Sequence, residues 1–172
     1  MTKGLIDMEF RRMRRSAQEL SLKEAEKILE NGSHGVLAVS GDGGYPYAVP
    51  MSYVYSDGKI YLHSAAEGHR IDAVKRSDKV SFCVVAEDSV LPKKFTTLYK
   101  SAVAFGRARI LCGEEALSAM RLLAEKYCPN ESEKSLENEI NSSLGRFSAI
   151  EIAVEHLSAK AARELILKEG KS

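Results

Sequence analysis

Apolar positions change their period several times along the chain, and each change marks an element. Over 21–31, "SLKEAEKILEN", Ala25, Ile28 and Leu29 recur at helical spacing, and Ser21 stands three residues before Glu24, the spacing of a capping box. Gly32 then reads as a C′ stop. "HGVLAVS" (34–40) is an apolar run of strand length, followed by the turn-rich "GDGGYP" and a second strand, "YAVPMSYVY" (47–55). Asp57-Gly58 tolerates the positive φ values of a type I′ turn, so "KIYLHS" returns as a hairpin partner. "GHRIDAVKR" reads as a short helix between that strand and "KVSFCVVAE" (79–87). "YKSAVAFGRARILC" (99–112) is a strand with a bend at Gly106.

Helical spacing returns in "GEEALSAMRLLAEKYCPN", with Leu117, Met120, Ala124 and Tyr127 on one face and Pro129 ending it. In "FSAIEIAVEHLS", Ile150, Ile152 and Val154 alternate against Glu151 and Glu155. About six strands joined mostly by tight turns favour an antiparallel barrel over a parallel βαβ sheet. The expectation is a mainly β fold with peripheral helices, in one domain over 1–172. It has an N-terminal helix at 21–31, a core over about 33–112 and 146–156, and a helical insertion over about 113–142. The barrel is expected to stay open, with apolar faces left to cover.

Composition removes function classes rather than adding them. Lys plus Arg number 25 and Asp plus Glu 24, a net charge of +1, which gives no global field for nucleic acid or acidic membrane. No stretch has the roughly 18 apolar residues of a membrane helix. The N-terminal "MTKGLIDMEFRRMRR" lacks the apolar centre of a secretory signal. Cys83, Cys112 and Cys128 are odd in number and form no CxxC, so a reducing cytoplasm is expected.

The candidate chemistry gathers in "YLHSAAEGHRIDAVKR" (61–76), where a strand leads through small residues and Gly68 into a basic helix. Such a corner can hold an anionic cofactor, a metal, or nothing beyond its own backbone ends. A helix start offers unpaired N–H groups and a partial positive charge, and His69 and Arg70 add donors. The bland alternative is a solvated helix start. A metal fits poorly, because the six-residue separation of His63 and His69 is not the i, i+4 pair of a zincin and no nearby cysteine completes a set. His34 reads as a turn residue, His156 as surface beyond the last strand, and Cys83 as an inert core thiol. The "RRMRR" arm (11–15) lacks the interleaved aromatics of a nucleic-acid platform.

Residues 32–85, with "FTTLYKSAVAFGRARIL", "RFSAIEIAVEHLSAKAAR" and "MRRSAQELS", resemble the pyridoxamine 5′-phosphate oxidase-like flavoproteins, in particular their 5-nitroimidazole-resistance branch. The resemblance spans roughly residues 11–163. It implies a Greek-key split β-barrel that is a homodimer with FMN at the subunit interface. It assigns phosphate contacts to Ser64, His69 and Arg70, with backbone access at Gly68. His63 and Ala65 would flank the ribityl chain, and main-chain groups of Val49, Pro50, Met51 and Ser52 would meet the ring. Phe95, Thr96 and Ser101 would close the site from the partner chain.

The C-terminal "RELILKEGKS" departs from the segment with which the vitamin B6 oxidase holds its substrate. The resemblance therefore implies a reductase acting on a nitroaromatic or other small electrophile rather than a pyridoxamine phosphate oxidase. A flavin or haem binder without turnover is the alternative, and a basic-arm interaction protein a third reading. No residue stands out as acid or base, so the catalytic residues stay unassigned.

Overall fold

The computed structural model describes residues 10–143 and 145–169. The opening 1–9, part of the stretch read as lacking a secretory signal, and the last three residues of the divergent C-terminal segment lie outside them. Six antiparallel strands form the body: β1 (His34–Ser40), β2 (Pro46–Ser56), β3 (Lys59–Ala65), β4 (Lys79–Leu91), β5 (Thr96–Leu111) and β6 (Phe147–Ala161). They close in the order β1-β2-β3-β6-β5-β4, with β4 returning to β1. The expectation of an open barrel is thus corrected. Val36, Leu37 and Ala38 pair with Cys83, Phe82 and Ser81, and that ladder removes the last free edge.

Alternation explains the interior. Leu37 and Val39 of β1, Ile60 and Leu62 of β3, and Phe82 and Val84 of β4 are buried, while their neighbours face outward. The β2–β3 turn is type I′, with φ of 50° at Asp57 and 75° at Gly58. At Gly106 the register slips against β6, whose backbone at Ala153 comes too close for any side chain.

Five α-helices among the described residues lie around the barrel. α1 (Leu22–Asn31) opens on a complete capping box between Ser21 and Glu24 and buries Ala25, Ile28 and Leu29. Gly32 does not adopt the left-handed C′ form expected of it; its backbone is extended (φ −68°, ψ 135°), and the Tyr53 hydroxyl crowds it. α2 (His69–Arg76) buries Ile71, Ala73 and Val74 in the main core. α3 (Gly113–Tyr127) and α4 (Glu133–Ser142) form a pair outside the barrel, and α5 (Arg163–Glu169) ends the described chain.

Three further sequence expectations change. The buried line of α3 is Ala119 and Leu123, with Met120 and Ala124 only half-buried beside it. His156 lies inside β6 and stacks on Phe10 at 4.5 Å, since the strand runs on to Ala161. Cys83 belongs to the outer face of β4 rather than the core, and partial burial still pushes its thiol pKa up.

Candidate functional site

The β2–β3 hairpin pairs only from Tyr53 with Leu62 down to Ser56 with Lys59. Beyond that point the two strands part. Val49, Pro50, Met51 and Ser52 stay paired with β1, opposite Leu37, Val36, Gly35 and His34. His63, Ser64 and Ala65 instead pair with β6, opposite Ala149, Ser148 and Phe147. Main-chain groups directed away from those neighbours line the two lips of the opening between the strands. Met51 and Ser64 are buried on the inner side, whereas Pro50, Ser52, His63 and Ala65 are exposed.

The start of α2 lies at this opening. Gly68, its N-cap, has φ 117° and ψ 174°, and no side chain caps the helix. A Cβ there would meet nothing within 4 Å, so glycine is required by conformation and not by space. The first-turn N–H groups have no partner within the helix and carry partial positive charge. Asp72, in the same turn, offsets part of that charge.

Arg70 is the most telling side chain. Its Nη1 lies 3.5 Å from the sulfur of Met51, a weak acceptor, and its Nε is buried without any hydrogen-bond partner. A buried guanidinium N–H without an acceptor is costly, and an anion at the helix start would satisfy it. The residues present therefore fit a phosphate.

His69 is less free. Its ring stacks on Tyr47 at 4.2 Å, and its Nε2 lies 3.5 Å from Asp42 Oδ2. Asp42 also pairs with Arg76 at 3.0 Å, and Arg76 donates to the Ser40 carbonyl at 2.9 Å. These contacts fasten α2 to the β1–β2 loop and leave His69 its main-chain N–H.

The remaining sequence candidates stand elsewhere. Phe95 is at the tip of the β4–β5 hairpin, left-handed and 99% exposed. Thr96 pairs with Leu91, and Ser101 with Val85. The register relates them to the site in another way. Pro50, Val36, Cys83 and Val103 stand side by side across four strands, as do Ala48, Ala38, Ser81 and Phe105. These two outward rows carry no charge, and Val36 and Phe105 within them are exposed, as is Val85 two residues along β4 from Cys83.

Sequence reasoning missed a second cleft, of about 480 Å³, between the barrel and the α3–α4 pair. Ser52 and His63 reach it from the strands, and Met120, Leu136 and Phe147 are among its apolar walls. Leu136 and Ile140, four residues apart, were the available signal for its α4 wall. Among the described residues, no group of three or more His, Cys, Asp or Glu side chains could hold a metal. No helix among them is long and apolar enough to cross a membrane.

Comparison with known proteins now supplies the family. Among solved structures, a conserved hypothetical protein, Rv2991 of Mycobacterium tuberculosis, aligns with a TM-score of 0.75 at 21% identity, over 90% of this chain and 92% of its own. A candidate 5-nitroimidazole antibiotic resistance protein from Bacteroides thetaiotaomicron aligns with a TM-score of 0.69 at 19% identity, over 83% and 86%. At those identities the likeness establishes the fold. An FAD-binding protein from Mesorhizobium loti aligns with a TM-score of 0.58 at 25% identity, over 84% and 97%. No curated protein matches the sequence. The family described as pyridoxamine 5′-phosphate oxidase matches residues 21–161, which span all six strands, and the chain belongs to that family.

Proposed function

We propose that this protein binds FMN where β2 and β3 part and uses it, as a cytoplasmic homodimer, to reduce a small electrophilic acceptor of the nitroaromatic kind. The observation that carries the reading is Arg70, whose buried Nε lacks a partner beside an uncapped helix start. Arg70 and the first-turn N–H groups of α2 hold the phosphate, helped by Ser64. The main chain of 49–52 and 63–65 offers hydrogen bonds to the ring and the ribityl chain. When bound, the flavin supplies the electron-transfer chemistry, and the protein supplies position and electrostatics. The FAD-binding relative from Mesorhizobium loti supports a flavin.

The uncharged outer face supports the dimer. Val36, Val85 and Phe105 are apolar surface that a second copy would cover. Such a copy brings Phe95, Thr96 and Ser101 toward the neighbour's site. Three free cysteines agree with a reducing compartment. Pyridoxamine phosphate oxidation is not part of the proposal, given the divergent C-terminal segment.

The test is a visible spectrum of FMN-loaded protein, followed by NADPH and then a nitroaromatic acceptor. Bleaching and reoxidation are expected. A flavin spectrum that never bleaches would mean binding without turnover, and a Soret band in protein as purified would point to haem.

A further inference from the structure

We propose that the cleft beneath α3 and α4 is the binding site for the molecule reduced by the flavin, and that this molecule is uncharged, flat and largely apolar. The proposal rests on the flavin reading, because Ser52 and His63 belong both to this cleft and to the lips of the β2–β3 opening.

At about 480 Å³ the cleft falls within the size range of small-molecule sites. Arg121 of α3 pairs with Glu137 of α4 at 2.6 Å, joining the two helices to each other, and with Glu114 of its own helix at 2.6 Å. α4 packs chiefly on α3 rather than on the barrel, and the gap lies between them and the strands.

The lining sets the ligand's chemistry. Leu123 and Ile140 are buried apolar walls, and Phe147 lies on the strand side. Among the described residues that line the cleft there is no Lys or Arg, and the one carboxylate is that of Glu139. An anion entering would lose water without gaining a counter-charge, which is costly. The Tyr127 hydroxyl is already engaged by Tyr53 and Ser33, so what this side chain offers the cleft is its aromatic ring, which suits a flat aromatic partner. Ser52 and His63 remain as polar groups at the flavin side, where they can orient one hydrogen-bonding end of the ligand.

The test is calorimetric titration of the FMN-loaded full chain with 1-naphthol and 1-naphthoate, a neutral and an anionic probe on the same ring. The wild type should bind 1-naphthol at least tenfold more tightly. Met120→Trp, which fills the cleft, should weaken 1-naphthol binding tenfold or more while FMN affinity holds. Leu136→Lys, on the half-exposed side of α4, should narrow or invert the preference. Equal affinity for both probes in the wild type would overturn the proposal. So would unchanged 1-naphthol binding in a Met120→Trp protein whose circular dichroism shows it folded. FMN affinity, measured separately, keeps the two readings apart. Protein that binds FMN but not 1-naphthol refutes the cleft alone, whereas 1-naphthol binding lost in Met120→Trp without any FMN binding supports the cleft and refutes the flavin.

Discussion

The Tyr127 hydroxyl accepts the main-chain N–H of Tyr53 at 2.8 Å and lies 2.8 Å from the same residue's carbonyl oxygen. The β1–β2 ladder ends one residue earlier, at His34 opposite Ser52. A side chain from the end of α3 therefore takes the place of the next β1 residue. Lys126 beside it donates to the Gly32 carbonyl at 2.7 Å and sits 4.3 Å over the Tyr53 ring. The helical pair is locked to the barrel at this point.

Tyr127→Phe should consequently destabilise the fold. It strands the N–H of Tyr53 and removes the hydroxyl's one donated bond, for which the Ser33 and Tyr53 carbonyls compete, at about 1–3 kcal/mol when fully buried. Tyr127 is 38% exposed, so water can replace part of the loss and the low end is expected. Thermal melting should fall by about 2–4 °C for each kcal/mol in a chain of this size. An unchanged melting temperature would mean that the hydroxyl is dispensable.

Gly68→Ala should lower stability by about 1–3 kcal/mol, since φ 117° with extended ψ is nearly confined to glycine. No clash accompanies it, because the added Cβ meets open space. Denaturant unfolding checks the size of the effect. FMN affinity should fall with it, as the helix start shifts.

Glu151 gives the pH dependence. Burial opposes its ionisation, but hydrogen bonds from Arg109 at 2.8 Å and Lys59 at 3.1 Å outweigh burial and hold its pKa below the ordinary 4.5. A lowered folded pKa means that this stabilisation is complete above the ordinary carboxylate range and is lost as pH falls through the folded value. Melting temperature should thus drop below about pH 4.5, and Glu151→Gln should flatten that drop. At neutral pH the variant should lose stability between the ~0–1 kcal/mol of an exposed pair and the ~3–5 kcal/mol of a fully buried one. Lys59 and Arg109 are nearly half exposed and can turn to water.

Val36→Glu tests the shared site. Val36 is 37% exposed in the middle of an uncharged row, so a carboxylate there would be buried in the proposed dimer. Sedimentation should give about twice 18.9 kDa for the wild type and the single-chain mass for the variant, with FMN lost in parallel. A monomer that keeps FMN would contradict the two-chain site.

Much of the fold was legible because local rules and tertiary packing agree. The capping box at Ser21, the positive φ values at Asp57 and Gly58, and the alternation through Ile60 and Leu62 are all local. What the sequence hid is long-range. Residues 47–55 and 59–64 read as continuous strands, and nothing in their alternation shows where they part company, because each keeps pairing on its other side. Tyr127 read as one more apolar helix position, since periodicity does not see a hydroxyl that completes another strand's ladder. Arg70 could be placed at a helix start from Gly68 alone, but the contact of its Nη1 with Met51, nineteen residues earlier, and the burial of its partnerless Nε arise only in the folded chain.

The central claim, that Arg70 holds a phosphate, is tested most directly by four affinities: FMN and riboflavin, each against wild type and Arg70→Ala, followed by flavin fluorescence quenching. A charge-assisted hydrogen bond is worth roughly 1.5–3 kcal/mol, so FMN binding should weaken about tenfold to a hundredfold. Riboflavin, which has no phosphate, should bind almost unchanged. Equal losses for both ligands, or no loss for either, would contradict the claim.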